Sequence, residues 1–189
     1  MLPHRGLGGW AIMKTYTICI FSENTFGMLN KITILFTRRR INIESLTVSE
    51  TERKGVSRYT IVMKHDKREE VEKLVRQIRK VIEVLAVFGY LDEESVYNEI
   101  ALFKIGTPVG SKPLDIETIN KVHKAWVVYW ELDYVVIEKA GTEQAIFEFF
   151  RYIKPHGILE FVRSGRVAVS RTPQGLVEHL PDAEWEYYL

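Results

Sequence analysis

The stretch Thr15-Tyr16-Thr17-Ile18-Cys19-Ile20-Phe21-Ser22-Glu23-Asn24-Thr25-Phe26-Gly27-Met28-Leu29 changes its pattern twice. Its first seven residues are apolar, β-branched or aromatic, as a buried strand requires, and Ser22 to Thr25 then supply polar turn chemistry. Apolar residues next recur at Met28, Leu29, Ile32, Leu35 and Phe36, close to the 3.6-residue period, with Asn30, Lys31, Thr33 and Thr37 on the other face. The reading is strand, turn, then a helix ending in Arg38-Arg39-Arg40. Working outward, Ile41 to Glu50 reads as a second strand, Thr51-Glu52-Arg53-Lys54-Gly55 as a hairpin turn, and Ser57 to Lys64 as the returning strand, with Tyr59, Ile61 and Met63 on one face. Asp66 is placed to cap a second helix, with Glu69 at the capping-box position and Val71, Leu74, Val75, Ile78 and Ile82 along one stripe. Val81 to Phe88 closes the unit as a strand, so the order is βαββαβ.

The same order then restarts. Residues 90–98, with Asp92-Glu93-Glu94-Ser95 at their centre, read as a linker. Ile100 to Ile105 follows as a strand, and Ser111-Lys112-Pro113 offers a capping residue and an early proline before a helix reaching about His123. Trp126 to Trp130 and Tyr134 to Ala140 form a strand pair. Thr142 caps a helix with Ile146, Phe149, Phe150 and Ile153 on one face, and Ile158 to Val162 is the last strand, extended by Arg166 to Ser170. The predicted class is α+β: two tandem ferredoxin-like units, over 13–89 and 99–172, each an antiparallel sheet with two helices on one face. Ile18 and Ile20 alternate with Cys19 and Phe21, so the strands are apolar on both sides and an oligomer is expected. Residues 1–12 lack the apolar core of a signal peptide and read as an extension upstream of Met13. Residues 173–189 read as a tail, whose Glu184-Trp185-Glu186-Tyr187-Tyr188-Leu189 either docks on a surface or stays disordered.

Composition narrows the function. The 189 residues are 46% hydrophobic and 27% charged, and 26 Lys and Arg against 25 Asp and Glu leave a formal charge of +1. That balance gives no bulk attraction to nucleic acid or anionic lipid. Charged residues interrupt every apolar stretch before the ~20 residues of a membrane span, so no membrane association is expected. A single cysteine, Cys19, sits in a strand pattern and cannot form an internal disulfide, which suits a reducing cytoplasm. The five histidines have no partner at i+4 and no nearby cysteine pair, so no zinc ligand set is read. No nucleophile elbow, P-loop or strand-preceded Gly-x-Gly-x-x-Gly is present, and no catalytic constellation emerges. Arg38-Arg39-Arg40 fits the negative end of a helix dipole better than a phosphate site.

One junction carries more chemistry. A helix N-terminus near Gly27 offers unpaired N–H groups and positive potential to a carboxylate, and glycine lets a ligand approach the backbone. The side-chain amides of Asn24 and Asn42 each donate and accept, which suits a zwitterion, and Met28, Leu29 and Ile43 can wall an aliphatic side chain. By physics alone such a turn is more readily structural than ligand-binding.

These residues carry a resemblance. Asn24-Thr25-Phe26-Gly27-Met28-Leu29, followed by Arg38-Arg39-Arg40-Ile41-Asn42-Ile43-Glu44-Ser45-Leu46-Thr47-Val48, resembles the ACT-domain signature of the small, regulatory subunits of acetohydroxyacid (acetolactate) synthase. The similarity continues through Ser57 to Val62, Val81 to Leu85, Glu99 to Ile105 and Arg163-Ser164-Gly165, covering about Met13 to Arg171. The resemblance implies a non-catalytic chain, itself without cofactor, that works as a homodimer and activates a large catalytic subunit carrying thiamine diphosphate, Mg and FAD. It implies feedback inhibition by a branched-chain amino acid, valine first. The effector would lie between paired ACT domains against Asn24, Gly27, Met28, Leu29, Asn42 and Ile43. Phe26, Asn30 and Arg40 stand where the family usually has a small residue or proline, serine or alanine, and glycine. Two rival readings are an ACT sensor serving another enzyme and a free-standing enzyme on ferredoxin-like domains.

Overall fold

Ten residues rich in β-branched and aromatic side chains make β1 (Lys14–Glu23) the spine of the first sheet, hydrogen-bonded to a strand on each side. The structure is a computed structural model that describes residues 13–107 and 113–173. The segments 1–12, 108–112 and 174–189, and with them the expected capping residue Ser111, lie outside those residues. After β1 come α1 (Met28–Arg38), β2 (Ser45–Glu50), β3 (Val56–His65), α2 (Arg68–Ile78) and β4 (Val84–Leu91). The sheet order is β2-β3-β1-β4, the ferredoxin-like arrangement the βαββαβ pattern predicts. Antiparallel register sets Ile18 opposite Ile61 and Gly89, and Ile20 opposite Tyr59 and Val87. That face is buried together with Met28, Ile32 and Phe36 of α1 and Val71, Leu74 and Ile78 of α2. The other face holds a second cluster of Cys19, Phe21, Val56 and Ala86, with the Arg58 guanidinium 5.1 Å above the Phe21 ring. Both faces of β1 are therefore apolar, as read from its alternation.

A three-residue 3-10 turn, Asp92–Glu94, leads to the second unit: β5 (Ser95–Gly106), α3 (Ile116–Lys121), β6 (Ala125–Trp130), β7 (Tyr134–Gly141), α4 (Glu143–Ile153), β8 (Ile158–Arg163) and β9 (Val167–Ser170). Its sheet runs β6-β7-β5-β8, with β9 paired to β5. Phe103, Ile105, Val135, Ile137, Ile146, Phe149 and Ile153 form its core, where the Phe103 and Phe149 rings meet edge to face at 5.0 Å. The Thr142 hydroxyl accepts from Ala145 N, so it caps α4 as its sequence predicts. Two compact units result, residues 13–44 with 48–94, and residues 45–47 with 95–173.

Several boundaries differ from the sequence reading, each for a local reason. Strand β2 begins at Ser45, not Ile41, because Ile41 N donates to Phe36 O (3.0 Å) and Arg40 N to Thr37 O (3.0 Å), closing a Schellman end on α1. Asp66 does not cap α2; Lys67 stands at the cap without a side-chain bond, and its N–H donates to His65 Nδ1. Helix α2 stops at Ile78, and Ile82 is 96% exposed rather than part of the stripe. The turn Val81–Val84, held by Val84 N to Val81 O (3.0 Å), moves the start of β4 to Val84. Within the stretch 90–98 read as linker, only Asp92–Glu94 lies outside strands, because Ser95 to Asn98 pair with β9 residues distant in sequence. Helix α3 is capped by Asp115, whose carboxylate accepts from Thr118 N (3.0 Å), and it ends at Lys121.

Candidate functional site at the mouth of the first helix

Strand β1 ends where Asn24 N donates to Gly55 O (2.8 Å) and Thr25 N to Glu23 O (2.9 Å), so the chain turns before it can pair further. Gly27 then enters α1 at φ 79°, a left-handed conformation that costs a side-chain-bearing residue about 1 kcal/mol or more. A Cβ built on Gly27 meets nothing within 4 Å, so the backbone there is open to the outside. Among the described residues no side chain caps α1 and its first turn carries no acidic residue; Met28 N donates to Thr25 O (3.4 Å), and the positive end of the dipole is left without a charged partner there. Behind this mouth, Lys31 donates to Glu83 in a close pair, and that hydrogen bond holds the Glu83 carboxyl below the usual carboxylate range. Glu83 O also accepts from Glu23 N (2.9 Å), fastening the turn before β4 to the end of β1.

The expected site residues divide into two groups. Asn24, Gly27, Met28 and Leu29 are neighbours at this mouth. Asn24 is exposed, Leu29 is 43% exposed and Phe26 beside them is fully exposed, whereas the Met28 side chain is buried in the core and offers the mouth only its backbone. Asn42 and Ile43 are elsewhere. Glu23 is level with Val56 on β3, while Glu44 N bonds Val62 O at 2.8 Å. Six residues of strand separate those levels, about 20 Å at ~3.3 Å per residue. At that far end Asn42 Nδ2 donates to Glu44 Oε1 (3.1 Å), with its side-chain oxygen left to accept. One chain therefore does not bring the two asparagines together.

The arginine run ends α1 as expected: Arg39 donates from Nε to Gln77 (2.7 Å) and pairs with Glu70 at 3.3 Å, tying α1 to α2. Among the described residues no group of three or more His, Cys, Asp or Glu is arranged to hold a metal, and no helix is long and apolar enough to cross a membrane. The sequence reading missed the exposed Phe26 ring, and it missed a second feature, the cavity over α2 described below. The signal for the cavity was present in Arg68, Glu72 and Arg76, which recur at i, i+4 and i+8 beside Val71 and Val75.

Comparison with known proteins assigns the class first. Residues 18–86 match the model of the acetohydroxyacid synthase small subunit-like ACT domain, and residues 98–172 match that of the small subunit of acetolactate synthase. With two ferredoxin-like sheets, these define an ACT-domain protein carrying a second α+β domain. The acetolactate synthase small subunit of Bacillus subtilis is 38% identical over 151 residues, 80% of this chain and 87% of the relative. That of Mycobacterium bovis is 36% identical over 163 residues, covering 86% and 96% of the two chains. The crystal structure of the small subunit from Thermotoga maritima superposes with a TM-score of 0.75 at 26% identity, over 85% of this chain and 99% of that one. This chain belongs to the acetolactate synthase small-subunit family.

Proposed function

We propose that the chain activates a separate acetolactate synthase catalytic subunit and makes it sensitive to a branched-chain amino acid, with valine the first candidate. The observation that carries this reading is the uncapped, acid-free N-terminus of α1 behind Gly27, with Asn24 beside it. An amino-acid carboxylate compensates that helix end, an asparagine oxygen accepts from its ammonium, and Leu29 supplies apolar wall. Asn42 and Ile43 lie too far along the same chain to close the pocket, so a second copy supplies them. A two-fold pair places the far end of one ACT unit against the mouth of the other and makes two equal sites. The exposed Phe26 ring and Leu29 are apolar surface that such a partner would cover.

Regulation then follows by linkage. An effector bridging two copies stabilises the arrangement that binds it, and catalysis changes to the extent that the catalytic subunit distinguishes that arrangement from the empty one. Thiamine diphosphate, Mg and FAD belong in this reading to the catalytic subunit. The experiment is reconstitution: acetolactate formation by the catalytic subunit, with and without this chain, in the presence of valine, leucine or isoleucine. A rise in rate on mixing, reversed by one of the three, is expected, with no turnover by this chain alone. An unchanged rate on mixing favours the alternative, an ACT sensor for another enzyme, which the large subunit that co-purifies would identify.

A further inference from the structure

The half-open cleft between α2 and the first sheet is lined by side chains that the α1 mouth does not use. Tyr16 of β1, Val71 and Val75 of α2 and Gly89 of β4 line a cavity of about 180 Å³, rimmed by Arg68, Glu72, Arg76 and Glu94. That is several times the ~30 Å³ share of one water in the liquid, so the space admits a small organic molecule. Gly89 keeps the floor clear: a Cβ there would stand 3.2 Å from Val75 Cγ2 and 3.3 Å from Ile18 Cδ1.

The polar groups around this space are incompletely matched. Tyr16 is only 3% exposed, and its hydroxyl, which is not among the fully buried polar atoms, makes no hydrogen bond to another described residue. It stands among Arg68, Glu94 and Glu72, the charges that act on it most. Its hydroxyl meets the cavity, where water or a ligand can pair with it. Arg68 Nε donates to Glu72 Oε1 at 3.3 Å, and its Nη1 lies 3.7 Å from Glu94 Oε1. Glu94 is itself fixed by Leu91 N, which donates to Oε2 at 2.8 Å. Two carboxylates thus share one guanidinium and leave a surplus negative charge. One helical turn beyond Glu72, exposed Arg76 makes neither ion pair nor hydrogen bond to another described residue, so its guanidinium stands at the rim next to that negative charge. Opposite charges on adjacent turns, a phenol hydroxyl and an apolar wall of Val71, Val75 and Gly89 together complement a zwitterion with a short apolar side chain.

We propose that this cavity is a second ligand site, complete within one chain, for a small apolar α-amino acid. The carboxylate is held by Arg76, the ammonium by Glu72 and Glu94 with the Tyr16 hydroxyl beside it, and the side chain lies on Val71, Val75 and Gly89. The site shares no residue with the α1 mouth and needs no second copy, so it stands or falls independently of the function proposed above.

The test is titration of the full chain with L-valine, followed by calorimetry and by NMR of the Val71 and Val75 methyls and the Gly89 amide. Gly27→Asp blocks the α1 mouth, and valine is expected to shift those three signals in that variant with one molecule bound per chain. Arg76→Gln and Tyr16→Phe should each weaken that binding by about tenfold or more. Tyr16→Phe should do so with an unchanged or raised thermal midpoint, whereas a structural hydroxyl would lower it. Isovalerate and isobutylamine, which keep one charge each, should bind at least about tenfold more weakly than valine. Three results overturn the proposal: no shift of these signals in Gly27→Asp, unchanged affinity in both Arg76→Gln and Tyr16→Phe, or isovalerate binding as well as valine. Shifts here without any at Asn24 to Leu29 in the wild type would uphold this site and count against the α1 mouth.

Discussion

Gly27 holds φ 79° with open space where a side chain would project, so a substitution there acts through backbone strain and charge, not through collision. Gly27→Asp is expected to lower stability by about 1 kcal/mol, because aspartate enters the left-handed region less readily than glycine. Its carboxylate would also occupy the helix end that the proposed effector needs. The expected outcome is a small fall in thermal midpoint together with complete loss of amino-acid inhibition in the reconstituted enzyme; retained inhibition would misplace the site. His123 gives a separate test. Its ring lies 4.1 Å from that of Tyr152 and 5.4 Å from that of Phe149, and burial, aided by the nearby Lys139 charge, holds its pKa below 6.5. The unfolded chain therefore takes up the proton more readily than the folded one. Stability from the neutral ring is complete above about pH 6.5 and is lost as pH falls through the lower folded value. Thermal melts should show a midpoint that drops on acidification from about pH 7.5 to about pH 5, and His123→Phe should flatten that part of the profile.

At the scale of the element, the end of α1 is the informative place. Arg40 occupies the left-handed position of the Schellman end at φ 56°, where glycine is the usual residue. The two bonds of that end, Ile41 N to Phe36 O and Arg40 N to Thr37 O, are both formed at 3.0 Å. An arginine in this geometry carries strain of about 1 kcal/mol that the motif overcomes. Arg40→Gly relieves it and gives back part of the gain through the greater freedom of the unfolded chain. Its expected net effect is a stabilisation of about 0.5 kcal/mol, read as a higher denaturant midpoint with unchanged slope. A lowered midpoint would show that the Arg40 side chain contributes more than its backbone costs. The same end explains why the apolar run from Ile41 does not begin a strand: its first N–H is already spent on α1.

At the scale of the whole molecule, the separation of about 20 Å between the two asparagine-bearing ends makes a prediction about copies rather than residues. If each effector site combines Asn24 of one chain with Asn42 of the other, Asn24→Ala and Asn42→Ala homodimers both lose binding. Mixing the two variants then regenerates one intact site in each heterodimer. Calorimetric titration of an equal, fully exchanged mixture should recover about a quarter of the wild-type valine capacity, since half the dimers carry one good site of two. No recovery would mean that both residues serve one site within a chain, or that one of them serves none.

The strand-turn-helix reading at Thr15 to Leu29, the βαββαβ order of both units and the family membership needed only local pattern. Period-2 and period-3.6 apolar spacing report which side chains must leave water, and Thr142 caps α4 because its partner N–H is three residues away. The open helix mouth was legible for the same reason, since Gly27 sets the backbone conformation at the start of α1. What sequence pattern did not decide depends on partners far along the chain or on competition for one hydrogen bond. Ser95 to Asn98 are strand only because β9 pairs with them, Ile41 is not because Phe36 O claims its N–H, and Ile82 lost its place in the stripe when α2 ended at Ile78. The cavity beneath α2 exists because β1, β4 and the turn after β4 bring Tyr16, Gly89 and Glu94 to one helix face. The placing of Asn42 at the far end of the sheet from Asn24 was likewise fixed by strand register, through the pairing of β1 with the sequence-distant β3.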